Sequence, residues 1–258
     1  MNARTSKEDI RKIVGTDHHD PFQVLGAHAE SVGGKIHVVV RAFVPDAESL
    51  SVVAVTKSGK GKTHPMKKIH KEGFFEGVIR SRKTVFAYKL KAVWTSGSVT
   101  EFYDSYSFLP TLTDFDLYLF NAGDHHRIYE KLGAHPMEVS KVGGVQFSVW
   151  APSARSVSVV GDFNEWDRRK HAMRVLGSSG VWEIFIPGLQ EGGLYKFSLK
   201  THDGKILDKT DPYASEMESR PRTASKINFL SGYSWRDDEW MSERSKTDWL
   251  GKPISVYE

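Results

Sequence analysis

The stretch GDFNEWDRR, residues 161–169, gathers the groups of a small polar site around one large ring. It holds the amide of Asn164, the carboxylates of Glu165 and Asp167, the guanidinium groups of Arg168 and Arg169, and the indole of Trp166. Packing such an aromatic removes about 150–250 Å² from water, so an indole in a polar loop either reaches a core or meets a ligand. Sugar chemistry fits the second case: the indole stacks on the apolar C–H face of a pyranose while its neighbours bond the hydroxyls. Trp166 is the candidate stacking surface and Asn164 a candidate hydroxyl partner. Lys196 points out of its strand if Tyr195 and Phe197 point in, and so can join that surface; a plain solvated face explains it at least as well.

Other chemistries find less support. The pairs His18–His19 and His125–His126 lack a third ligand at a helical spacing, and adjacent side chains diverge, so turn and capping roles are expected and a metal site is not. There is no phosphate-binding G-x-x-x-x-G-K-[ST] run, no G-x-S-x-G elbow and no G-x-G-x-x-G after a strand. Carboxylates are plentiful, yet nothing singles out a pair held across a cleft at the separation glycoside chemistry needs. The basic stretch KSGKGKTHPMKKIHK, 57–71, is interrupted by glycine and proline and carries no interleaved aromatics, which suits a hairpin loop better than a nucleic-acid surface. The residues alone therefore describe a binding module with no catalytic residue and no cofactor.

The elements that must hold these groups come in two copies. DHHDPFQVLGAH (17–28) and DHHRIYEKLGAH (124–135) share both ends, and the same shift of 107 positions sets VPDAESLSVV (44–53) over APSARSVSVV (151–160), HPM over HAM, GFFE over GVWE and DSY over DPY. Roughly two dozen identities on one ungapped diagonal mark a tandem duplication. Each copy reads as period-two strands, as in Val145, Phe147 and Val149 or Trp182, Ile184 and Ile186, separated by turn clusters such as LGSSG and THDGK. The fold class expected is all-β: two tandem immunoglobulin-like antiparallel sandwiches of about a hundred residues each. Short helices are expected only at the edges: one capped by Ser6 before Gly15, one capped by Thr113 over DFDLYLF, and RIYEKL stopping at Gly133. After a further short helix in SGYSWRDDEWMSER, KPISVYE reads as a strand, either folded back on the second sandwich or standing at the entrance of a further domain.

The duplication is also an internal control. Aromatics repeated in both copies, Phe43 over Trp150, Phe75 over Trp182 and Tyr88 over Tyr195, are expected in the cores. Trp166 falls instead on the KSGK stretch that ends at Lys60, so the sandwich does not require an aromatic there. Lys196 does have a counterpart, Lys89.

Composition sets the remaining bounds. A chain of 258 residues, 39% hydrophobic and 12% aromatic, is long enough for two real cores, and its net charge of +4 names no partner. The longest apolar runs, such as Ile36–Val40, are far short of a membrane span, the N-terminus has no apolar export region, and there are no cysteines. A folded cytoplasmic protein is expected, with no membrane and no nucleic-acid partner.

The run GVQFSVWAPSARSVSVVGDFNEWDRRKHAMRVLGSSGVWEIFIPGL, continued by LYKF, resembles the family 48 carbohydrate-binding modules. With HHDPFQVLGAH, HHRIYEKLGAH, DPYASEMESRPRTASKI and PISVYE around it, nearly the whole chain resembles the N-terminal part of the bacterial glycogen branching enzymes. The resemblance implies an amino-terminal sandwich over 1–113, a glucan-binding sandwich over 114–230, and over 231–258 a linker with the first strand of a catalytic β/α barrel. It implies that the intact enzyme moves α-1,4-glucan pieces to 6-hydroxyls with carboxylates on later barrel strands, so that this chain is an inactive fragment whose partners are α-glucan, weakly held, and the missing barrel. It matches Trp166 and Lys196 to the stacking tryptophan and lysine of related glucan sensors, whose second tryptophan would fall near Ile206. The same module pair in a debranching or trehalose-forming relative, and a sugar-free pair of interaction domains, remain alternatives.

Overall fold

Alternating apolar residues make strands, and the duplicated pattern makes the same sandwich twice. The computed structural model describes residues 5–56, 61–229 and 234–258. In the first copy the strands are β1 (Gly26–Val32), β2 (Lys35–Phe43), β3 (Ala47–Ala54), β4 (Thr63–Pro65), β5 (Lys67–His70), β6 (Phe74–Ile79), β7 (Tyr88–Trp94) and β8 (Val99–Tyr103). They form two antiparallel sheets ordered β1-β2-β6-β5 and β4-β3-β7-β8. In the second copy they are β9 (Gly133–Val139), β10 (Val142–Trp150), β11 (Ser156–Gly161), β12 (Arg174–Val175), β13 (Val181–Pro187), β14 (Leu194–Lys200), β15 (Ile206–Lys209), β16 (Glu216–Met217) and β17 (Ser225–Lys226). One sheet runs β12-β13-β10-β9 and the other β11-β14-β17-β16, with β15 also on β14.

The two cores have corresponding fillings. Val38, Val40, Leu50, Val52, Phe75 and Tyr88 are buried in the first, and Val145, Phe147, Val157, Val159, Trp182 and Tyr195 in the second. The repeat extends to single bonds. Tyr88 donates to Asp104 Oδ2 and Tyr195 to Asp211 Oδ2, each at 2.5 Å, while His28 and His135 each place Nε2 2.9 Å from the carbonyl three residues back. Burial pushes the Asp104 carboxyl up to about 6 and the Asp211 carboxyl in the same direction, against the lowering pull of their tyrosines. The LGAH glycine is required sterically: Gly26 has φ +91°, and a Cβ there would lie 2.5 Å from the Tyr106 carbonyl oxygen.

The edge helices form at equivalent places. Helix α1 (Lys7–Val14) is capped by Ser6, which accepts from Asp9 N, and ends at Gly15; α2 (Asp114–Ala122) begins with a capping box between Thr113 and Asp116 and ends at the left-handed Gly123. RIYEKL is shorter than expected. Only a 3-10 turn, Ile128–Glu130, fits before the chain enters β9 at Gly133, as Pro21–Gln23 does before β1. Trp150 also departs from expectation: its counterpart Phe43 is buried, but the indole, at the last position of β10, is 54% exposed. Its edge meets Phe120 of α2, and its N–H reaches the Ser179 carbonyl.

The sandwiches pack on each other head to tail and form a single compact unit, Met1–Asn228. The Arg174 guanidinium lies 3.9 Å over the Phe22 ring and donates to the Phe108 carbonyl. Glu183 Oε1 accepts from Thr111 N at 2.7 Å and Oγ1 at 2.8 Å, and Ala172 N donates to the Tyr106 hydroxyl. Ser156 donates to the Thr16 carbonyl, and Lys200 pairs with Asp17.

The second unit, Phe229–Glu258, contains α3 (Asp238–Lys246) and a 3-10 turn, Trp249–Gly251. The strand expected at KPISVYE is not formed: these residues are exposed and without a ladder partner among the described residues, and a strand exists only through its partner.

Candidate functional site

Strand β11 ends at Gly161, and the next five residues build a tight loop. A 3-10 turn, Asp162–Asn164, is closed by the Asn164 side chain, whose Oδ1 accepts from Gly161 N at 2.9 Å and whose Nδ2 donates to the Val159 carbonyl at 2.9 Å. Those two bonds fix the orientation of the amide. Nδ2 also lies 2.9 Å from His171 Nδ1, which must therefore accept and be unprotonated. Burial pushes the His171 pKa down to about 4, so the ring is neutral at pH 7 as this bond demands.

Asn164 is consequently inside the loop, 2% exposed, and its amide is spent on the backbone and His171. The expectation that it faces a sugar is corrected: a short amide after a tight strand end satisfies buried backbone groups first, because leaving them unpaired costs more than a surface bond returns. His171 was the residue that sequence reasoning missed. Its only signal there was the repeat of HAM over HPM, which does not distinguish a loop support from a generic strand end.

The staple forces the backbone outward. Glu165 and Trp166 both have φ 60°, a conformation uncommon for a glutamate and costly for a bulky aromatic. The Trp166 N–H bonds the Gly161 carbonyl at 2.9 Å, its indole N–H bonds Asp162 Oδ1 at 3.0 Å, and the ring remains 41% exposed. Two charged pairs flank it. Lys170 reaches Glu165 at 2.7 Å; Asp167 takes Arg169 through both carboxylate oxygens, and although burial raises its pKa, those bonds hold it below the ordinary range.

Lys196 is on the same sheet. Its register partner on β11 is Val160, one position from the Gly161 whose carbonyl holds Trp166, so the ladder places both candidates at one end of the β11–β14 pair. The ammonium donates to Thr223 Oγ1 at 2.8 Å. On β15, Ile206 and Leu207 are exposed, so an aliphatic pair occupies the place expected near a second aromatic. Lys60 and the rest of 57–60 lie outside the described residues, and the structure makes no comparison with Trp166 there. The histidine pairs are engaged locally: His18 Nδ1 accepts from Asp20 N, and His125 Nε2 meets Asp116 at 3.2 Å.

The second of the two tandem immunoglobulin-like sandwiches, which presents a half-exposed indole on a strained polar loop, is of the carbohydrate-binding-module class. Residues 131–214 match carbohydrate-binding module 48, the isoamylase N-terminal domain, and residues 6–106 match the N-terminal domain of alpha-1,4-glucan branching enzyme GlgB. The 1,4-alpha-glucan branching enzymes GlgB of Thermosynechococcus vestitus and Trichodesmium erythraeum are each 48% identical over 98% of this chain. That of Synechocystis sp. is 45% identical over 100% of it. The chain belongs to the branching-enzyme family as its N-terminal pair of modules. It spans about a third of the relatives' length, 32% of the first two and 33% of the third. Among the described residues, no helix is long and apolar enough to cross a membrane.

Proposed function

We propose that this chain is the glucan-holding and bracing part of a glycogen branching enzyme, with Trp166 as the stacking surface for an α-1,4-glucan and Lys196 beside it. The observation that carries this reading is the Trp166 loop. An indole held 41% exposed at φ 60°, by a network of buried bonds, in a module of the carbohydrate-binding kind is an arrangement that costs stability and is repaid by a ligand. The first sandwich, fastened through Arg174, Glu183 and Tyr106, braces the second. We assign the branching named for the relatives to the two thirds of their length that this chain does not span, so that the chain alone holds glucan without branching it.

The test is migration in native gels with and without glycogen, with cellulose as control polymer, for wild type and Trp166→Ala. Glycogen retards the wild type more strongly than the variant; a wild type that glycogen leaves unretarded, or a variant retarded as strongly as the wild type, overturns the reading. Iodine staining of amylose incubated with the chain reads branching directly, and a loss of colour overturns the statement that the chain is inactive.

A further inference from the structure

A cleft of about 620 Å³ opens between the two sandwiches, inside the range of small-ligand pockets, roughly 300–1,000 Å³. Its first-copy wall includes Trp94, Phe102 and Tyr103, all half-buried at the ends of β7 and β8. Its second-copy wall is the other side of the Trp166 loop, with Glu165 and Lys170 at the edge. Trp166 itself does not line it.

Trp94 and Phe102 pack against the first core, yet the duplication shows that a sandwich of this kind closes without aromatics at these places. The counterparts of Trp94, Phe102 and Tyr103 in the second copy are Thr201, Lys209 and Thr210, and that sandwich closes without aromatics there. The lips are strained as well. Asp46 on one side has φ 67° and Glu165 on the other φ 60°, while Ser153, the counterpart of Asp46, has no left-handed backbone. Strain of this kind gathers where a ligand is held.

The chemistry of the lining selects a neutral polyol. Glu165 and Lys170 are paired at 2.7 Å, and Asp46 and Asp162 add carboxylate acceptors, so the rim offers hydrogen-bonding groups suited to the hydroxyls of a polyol and unsuited to an anion. Below it the aromatic wall suits the C–H faces of pyranose rings.

We infer that the cleft is a second α-glucan site, which takes a short linear α-1,4-linked segment between the sandwiches, separate from Trp166. The inference rests on the reading that this chain binds α-glucan. One loop then serves two sites, with Trp166 on its outer side and Glu165 on its inner side.

Isothermal titration with maltoheptaose separates the two. The wild type and Trp166→Ala both bind, and adding Ser98→Trp, a substitution at an exposed turn position that fills the cleft, weakens the remaining affinity by at least about tenfold. The Trp94 indole N–H, which donates to Thr100 Oγ1, is assigned by its disappearance in Trp94→Phe, and its NMR signal shifts with maltoheptaose in the Trp166→Ala chain. A wild type that binds while Trp166→Ala does not bind overturns the cleft and leaves the Trp166 site standing. An unchanged affinity with Ser98→Trp, or an unmoved Trp94 signal, also overturns it. A wild type that does not bind removes both sites.

Discussion

Replacing Trp166 by alanine and by glycine separates the ring from the backbone that carries it. Both substitutions delete the indole and its bond to Asp162. Removing a fully buried tryptophan costs about 3–5 kcal/mol, and with 41% of this residue already in water the shared loss is about 2–3 kcal/mol. The variants then part company at φ 60°. Alanine keeps the left-handed penalty of about 1–2 kcal/mol, whereas glycine avoids it and gives up about 0.5–1 kcal/mol of chain entropy. Trp166→Gly is expected to be more stable than Trp166→Ala by about 0.5–1 kcal/mol, with both retarded by glycogen less than the wild type in the native gel. Urea unfolding followed by circular dichroism measures the first quantity on folded samples of both. Equal stabilities, or a more stable alanine variant, refute the claim that the loop stores backbone strain. Retardation undiminished in both variants refutes Trp166 as the sugar surface.

Asn164→Ala strands Gly161 N–H and the Val159 carbonyl, so it is expected to cost about 2–4 kcal/mol by urea midpoint and to weaken glycogen retardation with Trp166 still present. Asp104, raised to about 6, keeps in the folded state a proton that an unfolded aspartate releases near 3.9. Its contribution is therefore full below about pH 4 and is lost as the pH rises through 6, by about 3 kcal/mol, so the difference in stability between Asp104→Asn and wild type should grow by that amount from pH 4 to 7, and a constant difference refutes the shift. Arg174→Met removes the cation from Phe22 and the bond to Phe108, a loss of about 2 kcal/mol. In calorimetry the single transition expected of wild type should broaden or split, and an unchanged single peak means that the sandwiches are coupled by other groups.

The fold was legible because strand alternation and the 107-residue shift are properties of the chain itself. Val145, Phe147 and Val149, Tyr88 and Tyr195, and the caps Ser6 and Thr113 all lie where period and capping chemistry place them. The exposure of Trp166 was readable for a related reason, since a residue unmatched by its copy is free of the sandwich's demands. Asn164 was misplaced because composition shows that a loop is polar without showing which polar group it turns inward; that was decided by Gly161 N and the Val159 carbonyl, backbone groups that sequence does not advertise. Trp150 was misplaced because its burial depends on what covers the last residue of β10, and α2 brings only the edge of Phe120. The cleft was out of reach altogether, because it exists only where one sandwich meets the other.

That meeting shows how equal copies come to do unequal work. In a head-to-tail tandem, each sandwich has one face that docks forward and another that receives. The forward face of the first copy, with Phe22 and Tyr106, is covered by Arg174 and Ala172; the same positions in the second copy, Tyr129 and Tyr213, are 57% and 39% exposed. The receiving side of the second copy carries the arginine and the paired Glu183, and beside it lies the loop of Asn164 and Trp166. Docking thus fixes one wall of the loop's surroundings while the indole stays free on the other side. The duplication supplies two similar frames, and in the second the left-handed pair Glu165–Trp166 stands on the sandwich that the interface holds, so loosening Arg174 is expected to weaken glucan retention even though it touches neither residue.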